Sequence, residues 1–134
     1  MDSLVHSSDP RIFGPPTWRC LHILAQNYPV NATARKQKRC KRFLYSLSYL
    51  LPCRHCARHF RCFLRQRDVG AAVRGRESLV SLLVGAHNAV AAHTRPDRPP
   101  YTVGCATQQY TFMRPEHAPI PALWVSGDCD AATP

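Results

Sequence analysis

Apolar residues return at helical intervals along most of this chain, and no segment alternates in the manner of a half-buried strand. Trp18, Leu21, His22, Ala25 and Tyr28 form the first series. Pro15-Pro16-Thr17 opens it, since proline suits a first turn whose N–H groups lack internal partners, and Pro29 closes it. A second helix opens near Ala32 or Thr33, with Cys40, Phe43, Leu44, Leu47, Leu50 and Leu51 on its apolar face, and stops at Pro52. A third starts at once, at Cys53. Cys56, Phe60 and Phe63 share one face, while Arg54, Arg58, Arg61, Arg65 and Arg67 occupy the rest, as far as Gly70. After a short connection the fourth helix runs from about Glu77 to His93, with Leu79, Leu82, Leu83, Ala86 and Val90 inward. Gly85 weakens it by about 1 kcal/mol relative to alanine and marks a close approach. Pro96, Pro99 and Pro100 forbid its continuation, and the stretch from Gly104 to Met113 holds one more short helical turn bearing Tyr110 and Phe112. Beyond Arg114, Pro115, Pro119, Pro121 and Pro134 read as an extended tail. The pattern predicts an all-α fold: a four-helix bundle plus a short fifth helix, with an extended C-terminal tail. Its divisions are an N-terminal segment 1–11, a helical domain 12–114 and a Pro-rich tail 115–134.

Composition adds a core and a field. With 134 residues, 45% of them hydrophobic, the chain makes one domain and is not globally disordered. Its 18 Lys and Arg against eight Asp and Glu give a net charge of +10. The imbalance is concentrated. Every basic residue lies between Arg11 and Arg114, where only Asp68, Glu77 and Asp97 oppose them, a net +15. Such a field attracts nucleic acid, acidic proteins or an anionic cofactor. No basic start followed by an apolar run marks a signal peptide at Met1 to Ser8. The uncharged stretch Ser78 to Thr94 is too short and too polar to span a bilayer, so no membrane partner is expected.

Seven cysteines are dense for such a chain, and their odd number leaves at least one free or paired with another molecule. Without a signal peptide, they point to chemistry or metal binding rather than to a secreted scaffold. The informative run is Pro52-Cys53-Arg54-His55-Cys56. A C-x-x-C pair at a helix N-terminus suits disulfide exchange: unsatisfied N–H groups and the helix dipole favour a thiolate on the first cysteine, and Arg54 and His55 push the same way. A thioredoxin-like fold is excluded, because strands are absent. The competing reading is zinc, since Cys53, His55, Cys56, His59 and Cys62 lie within ten residues. It lacks a second ligand pair, as Cys40, Cys105 and Cys129 are singletons. That reading would make the chain a basic, zinc-stabilised, nucleic-acid-binding module. Cys20, Cys40 and Cys62 fall on or beside apolar helix faces and are expected to be buried structural cysteines.

Taken in order, Gly14-Pro15-Pro16-Thr17-Trp18, Leu21-His22, Ala25, Tyr28-Pro29, Pro52-Cys53-x-x-Cys56 and His87-Asn88-x-Val90 resemble the Erv/ALR family of flavin-linked sulfhydryl oxidases. The likeness covers roughly residues 12 to 112. It implies a four-helix bundle, commonly a homodimer, holding FAD among the helices; the absence of G-x-G-x-x-G excludes a Rossmann flavin site. By this resemblance Trp18, His22, Tyr28, His87, Asn88 and Val90 line the flavin or adenine, Arg98 meets the phosphates, and Tyr110 or Phe112 lies near the adenine. Cys53 and Cys56 are the catalytic pair, with Cys56 against the flavin, and Cys129 on the tail is the candidate shuttle. No metal is required. Electrons would pass from protein dithiols through the pair to FAD and then to molecular oxygen, giving hydrogen peroxide. Two departures stand out: Ala91 replaces a frequent second Asn, and Val84 stands where the family usually has a disulfide partner for the position of Cys105. Resemblance to free-standing viral members implies the host cytoplasm or the virion, with the mitochondrial intermembrane space as the alternative. A nucleic-acid partner is not expected on this reading, although the basic surface leaves it open.

Overall fold

The computed structural model describes residues 8–94 and 96–111. Phe112, Cys129 and the tail 115–134 lie outside the described residues. Within them the chain is all-α, with six helices: α1 (Pro10–Gln26), α2 (Ala34–Leu50), α3 (Arg54–Arg65), α4 (Val69–Ala72), α5 (Arg76–Thr94) and α6 (Val103–Thr111). The four-residue α4 is additional to the expected pattern. Asp68 caps it, accepting from the N–H of Ala71 at 2.9 Å.

The first helix begins five residues before the expected start, and two residues before the domain boundary read at residue 12. Asp9 is its N-cap and Pro10 its first residue, a stronger start of the same kind as the one read at Pro15. Pro15 and Pro16 sit inside the helix, where they remove two N–H donors without ending it. On α2, Thr33 caps the N-terminus as expected. Its buried face centres on Leu44 and Ser48. Phe43 and Leu50, expected inside, are 44% and 76% exposed, because they lie past the edge of that face. On α3 the buried residues are Ala57, Phe60 and Leu64, and Phe63 packs half-buried at the margin.

Helix α5 is the centre of the molecule. It packs against α1, α3, α4 and α6, while α2 closes on α3 and α4. Leu79, Val80, Leu82, Leu83, Val84 and Ala86 are all buried, and each fully buried leucine or valine contributes about 1.5–3 kcal/mol. Gly85, read as a close approach, has ordinary room: a Cβ there would stand 3.4 Å from the Phe63 ring. The true close approach is Gly75, where a Cβ would fall 2.2 Å from the carbonyl oxygen of Val30. The connection before α2 crosses there, and the N–H of Ala32 donates to Arg74 O at 2.9 Å. No helix among the described residues is long and apolar enough to cross a membrane. Cys20 and Cys62 are exposed rather than buried, since each faces away from the core side of its helix; Cys40 is half-buried.

Candidate active site

Cys53 is the N-cap of α3, and the N–H of Cys56 donates to its sulfur at 3.2 Å. Serine and threonine oxygens commonly do this work; here a thiol does it, directed by the turn that follows Pro52. The Cys56 thiol also points at Cys53, Sγ to Sγ 2.7 Å, a short movement from a covalent bond of about 2.05 Å. The two sulfurs are not equivalent. Burial, followed by the hydrogen bond to Cys53 and its charge, pushes the Cys56 thiol up to about 11. Cys56 is thus the sulfur that keeps its proton, and Cys53 the one that receives two donors. Cys56 also shares a face of α3 with Phe60 and Phe63, at spacings of four and three, so its side leads into the bundle.

A second constellation is built from helices far apart in sequence. His22 of α1 and His87 of α5 meet with Nε2 and Nδ1 3.0 Å apart. Trp18, one turn before His22, lies flat on His87 with ring centres 4.5 Å apart and planes at 6°. Tyr110 of α6 stacks on His22 at 5.3 Å, and Tyr101 tilts against both histidines. His22 is fully buried. Burial, and secondarily His87, lowers it to about 4, and burial lowers His87 as well, so both rings are neutral at physiological pH. One ring donates to the other, which leaves Nδ1 of His22 buried without a hydrogen-bond partner. Such an atom costs about 1–3 kcal/mol unless a ligand satisfies it.

The remaining residues of the expected site divide by task. Val90, one turn after His87, lines a groove of about 310 Å³ between α3 and α5, with Phe60, Phe63 and His93 among its other walls. That volume is at the lower end of the ~300–1,000 Å³ typical of small-molecule sites. Asn88 exchanges two hydrogen bonds with the backbone of Tyr101, each 2.7 Å, and so holds the α5–α6 connection under the ring cluster. Tyr28 is also committed: its hydroxyl donates to Val73 O at 2.7 Å, where burial pushes it up to about 12. Arg98 is exposed in the same α5–α6 connection. The zinc reading finds no support, for no group of three or more His, Cys, Asp or Glu among the described residues is arranged to hold a metal. His55 and His59 meet tilted, with ring centres 4.3 Å apart, and His59 meets His93 edge-on.

A reactive pair at one helix start and a ring cluster between two others suit a flat redox cofactor, and comparison with known proteins identifies the family. The sequence model of the Erv1 / Alr family matches residues 15–111. The chain belongs to that family. Among its relatives, the mitochondrial FAD-linked sulfhydryl oxidase erv1 of Schizosaccharomyces pombe is 38% identical over 77 residues, which is 58% of this chain and 42% of that protein. A viral relative, 096R of Invertebrate iridescent virus 3, is 28% identical over 104 residues, 78% of this chain and 69% of the relative. The crystal structure of the yeast Erv1 core aligns with a TM-score of 0.70 and 28% identity, over 76% of this chain and 83% of that one. The chain spans less than half the length of the fission-yeast relative.

Within this Erv1 / Alr scaffold, the residues that sequence reasoning missed are supports. Tyr101 was visible only as the residue after Pro99-Pro100, yet it touches both histidines and is clasped by Asn88. Arg61 donates to Ser48 O at 2.7 Å and lies over the Tyr49 ring at 4.5 Å, bracing the end of α2 next to the turn that carries Cys53. Its spacing from Tyr49 gave no signal, because only antiparallel packing of α2 and α3 brings the two together. Cys105 is exposed and forms no disulfide with a described cysteine.

Proposed function

We propose that the chain is an FAD-dependent thiol oxidase that forms disulfide bonds in protein substrates and passes the electrons to oxygen, giving hydrogen peroxide. The observation that carries this is the asymmetric Cys53–Cys56 pair at a helix start, in which Cys53 accepts two hydrogen bonds and Cys56 holds its proton. The residues present fit a flavin nucleotide. His22 offers an orphaned polar atom, Trp18 and His87 offer flat stacked surfaces, and the groove beside Val90 offers an apolar slot next to the face bearing Cys56. Trp18, His22, His87, Val90 and Cys56 would contact the cofactor, and Arg98 and Phe112 would meet its phosphates and adenine. Asn88 and Tyr28 act on it through the segments they hold. When bound, FAD supplies a two-electron acceptor for the Cys53–Cys56 dithiol and an outlet to oxygen.

The chain's own residues handle sulfur. In the disulfide form, a substrate thiolate attacks Cys53, the sulfur at the N-cap of α3. The Cys53–Cys56 bond breaks, a mixed disulfide forms, and Cys56 takes up a proton, as its raised affinity requires. The second substrate thiol then attacks its own partner in the mixed disulfide. Cys53 leaves, its charge met by the N–H of Cys56. The substrate loses two electrons and two protons, and the pair gains them.

Cys129, between Asp128 and Asp130, is the thiol assigned to relay electrons from substrate to Cys53. The chain pairs as a homodimer through apolar side chains exposed on α1 and α2, among them Ile12, Leu24, Phe43 and Leu50. We place it in the host cytoplasm or virion, because the likeness covers more of the viral relative than of the mitochondrial one. The deciding experiment is direct. Purified protein is expected to be yellow and to consume oxygen when given dithiothreitol; a colourless protein carrying stoichiometric zinc would overturn the proposal.

A further inference from the structure

Arg54, Arg58, Arg61 and Arg65 recur at spacings of four, three and four, which sets them along one side of α3. Arg54, Arg58 and Arg65 are exposed. Arg61, through its contacts with Ser48 O and the Tyr49 ring, joins this stripe to α2. On α2 the side opposite Leu44 carries Arg35, Lys38, Arg39 and Arg42, all exposed. None of these eight side chains pairs with a described carboxylate; the one ion pair among the described residues joins Arg11 to Asp9. The result is a basic ridge along α3 with one end at Cys53, joined by Arg61 to the helix that carries the second basic stripe.

The ridge works against the fold. Like charges four residues apart on a helix repel. Cations in the first turns of α2 and α3 also face the positive ends of those helices. Stabilising charge on the reactive sulfur accounts for Arg54, its immediate neighbour. It does not account for Arg65, which lies eleven residues further on, about 16 Å along the axis at 1.5 Å per residue and about two Debye lengths away at physiological salt. The far end of the ridge has no acidic partner among the described residues.

We infer that the ridge is a docking surface for an acidic segment of the dithiol protein substrate, laid along α3 from Cys53 outward. This rests on the thiol-oxidase reading above and names its substrate class. An extended chain advances about 3.3 Å per residue, so the stripe from Arg54 to Arg65 underlies about five residues. The favoured substrate therefore carries Asp or Glu within about five residues of the cysteine that attacks Cys53. A nucleic-acid backbone would meet the same charges, but it has no use for a ridge that ends at a redox pair. The chemistry is unchanged by docking. One S–S bond forms in the substrate as the Cys53–Cys56 bond opens to two thiols, and the pair is reoxidised by the FAD and oxygen of the proposed activity.

The test uses the full chain with its flavin and three dithiols: dithiothreitol and two peptides identical except for Asp or Lys near the cysteine pair. The expected result is a kcat/KM at least about tenfold higher for the acidic peptide, collapsing toward parity as ionic strength rises from about 0.05 to about 0.5 M. Arg65→Gln, at an exposed position outside the groove assigned to the flavin, should lower the ratio of acidic-peptide to dithiothreitol turnover several-fold. Peptides used equally well, with brisk dithiothreitol turnover and no salt effect, would overturn the docking inference and leave the oxidase activity standing. Binding of duplex DNA at physiological salt, with no advantage for the acidic peptide, would overturn it in favour of a nucleic-acid face. No turnover of any dithiol would defeat the activity and the inference together.

Discussion

A cysteine pair and a histidine pair each sit at hydrogen-bond distance in this molecule, and they are made in opposite ways. Cys53 and Cys56 are three residues apart, brought together by the first turn of a single helix. His22 and His87 are 65 residues apart, brought together only when α1 packs on α5. The first pair is half-buried among positive side chains; the second is enclosed by rings and neutral. Local geometry sets the cysteine pair, and tertiary packing sets the ring cluster proposed to hold the electron acceptor. Damage to one should therefore leave the other measurable.

The sharpest break is chemical. Cys56→Ser should reduce oxygen consumption by at least about a hundredfold, because a hydroxyl cannot carry the disulfide. Flavin absorbance and melting temperature should stay close to those of the parent. Substantial turnover by that variant would sink the proposed electron route. The converse break is structural. His22→Ala removes a buried ring and strands the nitrogen of His87, for a loss of about 2–4 kcal/mol. It should release flavin, yet both thiols of the pair should still react with a thiol-titrating reagent in the flavin-free protein. If flavin stays bound at parental affinity, the ring cluster is packing and not a cofactor site.

A third variant separates loss of stability from loss of binding. Gly75→Ala forces a Cβ onto the Val30 carbonyl, so the backbone must shift, at a cost of about 1–3 kcal/mol. It touches neither pair. Calorimetry should show a lowered melting temperature with flavin stoichiometry unchanged at low temperature. Flavin loss equal to that of His22→Ala would mean that the cluster responds to general loosening, and the contrast between the two pairs would dissolve.

The same division, local against tertiary, decides what could be read from the sequence. Cys53 as a helix start was legible because the cap, the proline before it and the apolar spacing after it are all within a few residues. Thr33 was legible for the same reason. The start of α1 was misplaced because two local signals compete: Asp9-Pro10 and Pro15-Pro16 are both good first turns, and a helix already under way can tolerate the second. Gly75 was passed over because its constraint is Val30, a neighbour only in the folded chain. Phe43 and Leu50 looked inward because a hydrophobic residue one position from the core stripe is indistinguishable in the pattern from one within it. His22 and His87 were picked out through family likeness. Their contact, and the clasp of Asn88 on Tyr101, are products of packing that no spacing rule contains.

The last prediction concerns pH, and its sign follows from the buried pair. His22 titrates at about 4 in the folded chain against 6.5 when free, mainly because burial penalises the charged ring and secondarily because His87 is close; burial lowers His87 too. Below 6.5 the unfolded chain therefore binds protons that the folded chain refuses, so the folded state loses ground. The contribution is fully present above pH 6.5 and is lost progressively as pH falls toward about 4. Melting temperature should hold steady near neutrality and fall through that window. His22→Gln, which keeps a polar side chain but cannot titrate, should flatten the slope while Cys56→Ser leaves it intact. An equal slope in all three proteins would locate acid sensitivity elsewhere, for the Cys56 thiol is pushed up, away from that range. The slope thus reads the tertiary pair alone, with the local pair as its internal control.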